Sequence, residues 1–294
     1  MEGAERMRQV TRFFGLGVQN AEPDDRILPV TRWVGRILVP ILAGAFIILF
    51  GLPERTTELF AWTIRPNMTP ILMGAGYGTG AYFFYRVATT DNWHEVALVF
   101  PGIVVFTWFM AIATALHWEN FNHSHITFAI WVFLYVAAPL LVPAIWLLNR
   151  RTDPRQPVTT DIQLPKVVQL VGGVSGLLIT VIAVALLLVP ELLMSHWPWD
   201  TSPLTARIML GWFALFGVVN LGVAFDARWS GARIPVQTQM LGFGLLLLGV
   251  IRAWGDFDTT NPATWGFVGG FTLYLLALIA LYSVMESHRP AGPA

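Results

Sequence analysis

The strongest constraint on this chain is the recurrence of apolar runs long enough to cross a bilayer. They fall at about 33–52, 68–88, 94–116, 125–148, 167–189, 205–225, 235–254 and 264–285. Each is near the roughly 20 residues that a hydrocarbon layer of about 30 Å requires at about 1.5 Å per residue. Backbone polar groups in lipid must be satisfied within the segment, so continuous apolar runs are expected to be helices. A transmembrane barrel would instead alternate apolar and polar residues. Composition agrees: 55% of residues are hydrophobic and 12% charged, against roughly a quarter charged in soluble domains. The expected fold class is an all-α integral membrane protein with eight transmembrane helices.

Basic residues set the expected orientation. The N-terminal segment, the second, fourth and sixth loops and the C-terminal tail together hold fourteen of the eighteen Lys and Arg residues; Arg55, Arg65, Arg207 and Arg252 lie on the other side. The positive-inside rule then places both termini in the cytoplasm. Lys166 is the only lysine, an Arg bias that points to a GC-rich bacterial genome and hence a bacterial cytoplasmic membrane. The first apolar run begins near Trp33, too deep for a cleaved signal peptide. Net charge is zero and basic residues form no long blocks, which gives nucleic-acid binding no support. The absence of cysteine excludes disulfides, cysteine-ligated zinc and ordinary iron–sulfur clusters.

The chain also resembles itself. A shift of 137 residues brings Val30 onto Val167, Gly35 onto Gly172, Pro53-Glu54 onto Pro190-Glu191, Trp62 onto Trp199, Pro66 onto Pro203, Gly74 onto Gly211, Gly80 onto Gly217 and Glu119 onto Asp256. This predicts a duplicated four-helix unit, at about 30–150 and 167–286. Four helices per unit is an even number, so both units take the same orientation, a parallel repeat about an axis along the membrane normal. The expected organisation is a cytoplasmic segment 1–32, a first membrane repeat 33–150, a polar linker 151–166, a second repeat 167–286 and a tail 287–294. The opening "RMRQVTRFFGLGVQ" mixes Arg with apolar residues and reads either as an amphipathic surface helix or as a tail carrying topogenic charge. GxxxG spacings at Gly74/Gly78, Gly76/Gly80, Gly172/Gly176 and Gly266/Gly270 are expected to let helix backbones approach.

Candidate chemistry lies mainly on the outer side. The middles of the helices offer only neutral groups such as Tyr77, Thr107, Thr114, Thr180 and Asn220, which argues against a carrier driven through a buried carboxylate. Asn220 reads first as an interhelical hydrogen-bonding residue. The outer loops combine acids with tryptophan, a pattern that suits a cationic or amphiphilic ligand through carboxylate and cation–π contacts. Glu54, Trp62, Glu191, Trp199 and Asp256 are the candidate ligand residues. The competing reading is structural: Pro-Glu opens short interfacial helices, and tryptophan belts mark membrane interfaces. "HWENFNHSH" at 117–125 gathers His117, Glu119, His123 and His125, whose nitrogen and carboxylate groups suit a divalent metal such as zinc, iron or manganese. The alternative is capping and interfacial packing, since residues two apart on a helix do not share a face. Haem has less support: His94 and His117 sit at opposite ends of one helix, about 34 Å apart at about 1.5 Å per residue. No nucleophile elbow, P-loop, dinucleotide fingerprint or HExxH is present.

Three functions fit these features, and no cofactor is required by any residue pattern. The first is a facilitator- or carrier-like protein for a small cationic or amphiphilic molecule, with a pocket between the repeats. The second is a membrane subunit of a larger complex, such as a redox- or quinone-linked one. The third is a metal-dependent enzyme at the outer leaflet, using the four residues of the histidine loop. The expected partners are the lipid bilayer and either other membrane proteins or a second copy of the chain.

Overall fold

The computed structural model describes residues 5–6, 24–154 and 161–289. The amphipathic segment expected at the N-terminus lies almost wholly outside these residues, as do 155–160 of the linker and 290–294 of the tail. Among the described residues the chain is helical, with isolated β-bridges only between Arg26 and Asn92 and between Gln163 and Arg228.

Among the described residues, eight long helices follow one another. α1 is Pro29–Gly51, whose last turn, Ile47–Gly51, widens to a π-helix. α2 is Met68–Thr89. α3 is His94–Leu116, in which a first turn, His94–Ala97, leads into Phe100–Leu116. α4 is Ile126–Asn149, α5 Lys166–Leu188, α6 Pro203–Val223, α7 Trp229–Arg252 and α8 Pro262–Ser287. Seven of the eight are long and apolar enough to cross a membrane, so this is a multi-pass membrane protein. The eighth, α2, has the length but carries glycine, threonine, tyrosine and Arg86. Much of it is buried against other helices.

Element ends mostly match the sequence expectation, and α7 is the clearest exception. It begins at Trp229, not near Pro235. Its first turns contain Arg233, which looks like loop from hydropathy, but Arg233 Nε donates to Glu286 of α8 at 2.8 Å. Pro235 lies inside this helix, where its ring removes one backbone hydrogen bond.

The packing follows one scheme in both parts of the chain. α1 packs on α2, and α5 on α6; α3 packs on α4, and α7 on α8. Between the parts, α2 packs on α7 and α6 on α3. α2, α3, α6 and α7 therefore form the centre. Close backbone approach is built by glycine. A β-carbon on Gly74 would lie 2.6 Å from the backbone nitrogen of Phe50, and one on Gly176 would lie 2.5 Å from the carbonyl of Gly217. Gly266 and Gly270 differ from that expectation: nothing lies within 4 Å of their β-positions.

The ends of α3 and α7 carry similar turns. A 3-10 turn follows each, at Trp118–Asn120 and Trp254–Asp256. Their offset is 136, so Asn120, not Glu119, stands where Asp256 stands. The same spacing of 136 separates Trp93 from Trp229, both buried at the helix starts.

Candidate functional site

The loops after α1 and α5 form caps over one end of the bundle. Pro53 and Pro190 each open a short helical turn with an acid in it, as the sequence suggests. Each cap is tied to the loop that follows the third helix of its own half: Asn122 N donates to Ala61 O at 2.7 Å, and Asp258 N to Pro198 O at 2.9 Å. Under these ties lie two aromatic clusters. Trp62 meets Phe60, Phe121 and Trp131 with ring centroids 5.0, 5.0 and 4.9 Å away. Trp199 meets Trp197, Phe257 and Phe267 at 5.1, 5.0 and 5.3 Å. Trp62 and Trp199 are both buried, and Trp199 Nε1 donates to Thr69 Oγ1 at 2.8 Å.

The five candidate ligand residues of this face therefore have separate surroundings. Glu54 and Glu191 are exposed, and the two tryptophans form the cores of the caps. Asp256 accepts a hydrogen bond from Met68 N at 2.7 Å. It thereby satisfies one of the free N–H groups at the start of α2 and places negative charge at the positive end of the helix dipole.

The histidine loop is likewise divided. Arg207 donates to His117 Nε2 at 2.8 Å and, through Nε, to Leu187 O at 3.0 Å. Burial and the charge of Arg207 both push the His117 imidazole below its ordinary pKa. His123 bonds to Trp118 O through Nε2 at 2.9 Å and packs against the Trp118 ring. His125 caps α4: its Nδ1 accepts from Thr127 N at 3.2 Å, which leaves Nε2 to donate to Glu58 O at 3.0 Å. Glu119 is exposed. Among the described residues no three His, Cys, Asp or Glu side chains gather as a metal-binding group.

The opposite end holds a polar junction that the sequence did not single out. Asp25, at a positive φ of 56° that Asp tolerates better than most residues, accepts from His94 N at 3.1 Å and pairs through its other oxygen with His94 Nδ1. His94 Nε2 lies 2.9 Å from Ser230 Oγ, and Ser230 in turn donates to Asp161 from both Oγ and N. The single hydroxyl hydrogen of Ser230 goes to Asp161, which leaves Ser230 Oγ to accept from His94 Nε2. His94 and Ser230 each follow a buried tryptophan at the start of α3 and α7, 136 residues apart. The chain Asp25–His94–Ser230–Asp161 thus joins the two halves of the protein. Beside it, burial raises the Asp226 carboxyl, but hydrogen bonds and charge from Arg228 outweigh burial and hold it below the usual carboxylate range.

At mid-height between the halves lies a cavity of about 210 Å³. Its wall comes mainly from α2, α3, α6 and α7, with Leu42 of α1, Tyr135 of α4 and Phe271 of α8. No charged side chain lines it. The polar groups on the wall divide into two sets. Thr79 and Thr238 spend their hydroxyl hydrogens on their own helices, and Gln239 bonds to Asn220 and Tyr274. Asn220 accordingly links α6, α7 and α8, the interhelical role expected of it. Tyr77 and Tyr135 bond to each other at 3.0 Å, and the indole Nε1 of Trp212 is buried with no partner. Tyr77 meets Trp212 edge to face with centroids 5.3 Å apart. Tyr77 was legible as a mid-span polar residue, but nothing in the sequence paired it with Tyr135 or with Trp212.

Fold and cavity define a helical multi-pass membrane protein. Searches of protein-family models, curated proteins and solved structures found no match to the chain.

Proposed function

We propose that this chain is an eight-span, two-repeat protein of the cytoplasmic membrane, with both termini inside, that holds a small amphiphilic or neutral molecule between its repeats. The observation that carries the reading is the cavity itself, walled by helices of both halves at mid-height. Sites between repeats near the bilayer midplane are the usual arrangement in carriers. The burial of α2 supports its role as the eighth span, because a helix shielded by neighbours need not be uniformly apolar. The repeat is supported by the matched helix pairs, the matched loop ties at Asn122 and Asp258, and the matched helix starts at His94 and Ser230. The uncharged wall favours an amphiphilic or neutral ligand over a cationic one. The bilayer is the natural partner and the route by which such a ligand arrives.

Gly80 gives a direct test. It lines the cavity, and a β-carbon there meets only Leu42 Cδ1, at 3.4 Å. Gly80→Leu should fill the space without forcing the backbones apart. Gly244, with nothing within 4 Å of its β-position, is the matched control on α7. A neutral solvatochromic dye titrated into the detergent-purified protein should bind saturably to wild type and to Gly244→Leu, and not to Gly80→Leu. Equal binding by all three would refute the cavity as the site.

A further inference from the structure

We infer that the cavity takes a lipophilic carbonyl compound of the quinone class, accepted by hydrogen bonds from Trp212 and the Tyr77–Tyr135 pair. This rests on the reading that the cavity is a ligand site and adds to it the chemistry of the ligand.

Donor counting carries the inference. Two tyrosine hydroxyls share one contact at 3.0 Å. Only one of their hydrogens can lie between the oxygens, and no other acceptor meets either hydroxyl among the described residues. Trp212 adds an indole N–H, a group that can only donate, buried without an acceptor. All three residues line the same cavity. In a mostly apolar wall such donors are costly to leave unmade, and they recover that cost when an occupant supplies oxygen lone pairs. The site therefore has surplus donors. A water would accept from them but would bring two more hydrogens that need acceptors. A carbonyl oxygen accepts and brings none.

Shape and depth narrow the class. The cavity exceeds the roughly 150 Å³ space that admits benzene in an engineered core. Its wall is rich in aromatic rings, among them Phe106, whose centroid lies 4.3 Å from that of Trp212. A flat conjugated ring stacks well in such a setting. The lining residues of α2 and α6 fall in the middle of those helices, so the occupant must be soluble at the bilayer midplane. A ring bearing carbonyl oxygens and an apolar tail meets all of these demands.

The probe is a short-tailed benzoquinone, measured as quinone retained by the protein in mild detergent against free concentration. An alkylbenzene with the same tail and no oxygen serves as the comparison. Wild type should bind the quinone saturably. Trp212→Phe, and separately the double variant Tyr77→Phe/Tyr135→Phe, should each weaken it about fivefold, the value of one hydrogen bond. Alkylbenzene binding should change equally little in both variants. Gly80→Leu should abolish binding of both compounds. If both variants keep wild-type quinone affinity, the hydrogen-bonding assignment is wrong even though the cavity is occupied. If wild type binds the solvatochromic dye but not the quinone, the carbonyl inference fails and the cavity reading stands. If neither dye nor quinone binds, both fail.

Discussion

Two places bring the halves of this protein together, and they treat polar groups in opposite ways. At the starts of α3 and α7, Asp25, His94, Ser230 and Asp161 form a closed chain in which each donor meets an acceptor. At mid-height, Trp212 and the Tyr77–Tyr135 pair line an uncharged cavity, and among the described residues the Trp212 indole N–H meets no acceptor. The first arrangement is complete without a ligand and serves to hold the halves in register. The second is incomplete by itself. Burial of polar atoms does not distinguish the two places; the balance of donors and acceptors does.

Substitutions can break or sharpen this contrast. The largest effect is expected from His94→Ala. It removes the side chain that joins Asp25 to Ser230 at a largely buried junction, and leaving both partners unmet is expected to cost about 3 kcal/mol. A detergent-unfolding midpoint that moves by much less would mean that the junction does not hold the halves together. Gly176→Ala comes next. Its β-carbon would meet backbone atoms of Leu221 and Gly217, which cannot swing aside as a side chain can, and overpacking of this kind costs about 2 kcal/mol. The same change at Gly244, where the space is open, should be neutral or stabilising by up to about 1 kcal/mol from helix propensity. Similar costs at both positions would contradict the close approach of α5 and α6.

A smaller effect should appear with pH. His117 is held below its ordinary pKa by burial and by Arg207, so between the two values the unfolded chain binds a proton that the folded chain does not. The contact contributes fully above about pH 6.5 and is lost as pH falls through the depressed folded value. Unfolding midpoints should therefore drop on mild acidification, and His117→Gln should flatten that part of the profile. The smallest effect is expected from Trp212→Phe. It relieves the cost of a buried donor without a partner, about 1–3 kcal/mol, and loses packing of similar size with the smaller ring, so the two largely cancel in stability. Set beside His94→Ala, that result would separate a polar group that builds the fold from one that waits for a ligand.

Much of the architecture was legible because bilayer thickness, hydropathy and positive charge act locally along the chain. The runs at 94–116 and 125–148 match α3 and α4 to within a residue. α7 was misplaced because Arg233 interrupts its first turns, and the partner that neutralises it, Glu286, is more than fifty residues away. The candidate residues divide for a similar reason. Trp62 and Trp199 were identified as a related pair, but only the fold shows that loop ties bury them beneath the caps. Asp256 was identified as an acid on the ligand face, whereas its partner is the start of a helix in the other half. His94 and Ser230 differ in chemistry, so a search for identical residues passes over them. The tryptophans before them, Trp93 and Trp229, would have exposed the pairing once the register was taken as 136. The cavity left the weakest trace, because Tyr77, Tyr135 and Trp212 belong to three helices and only long-range packing brings them together.

The most direct measurement is mass spectrometry of the intact protein released from mild detergent, comparing wild type with Gly80→Leu and Gly244→Leu. A site between the halves predicts a non-covalently bound small molecule on wild type and on Gly244→Leu that is missing from Gly80→Leu. The same bound molecule in equal amount on all three proteins would contradict the cavity as the functional site.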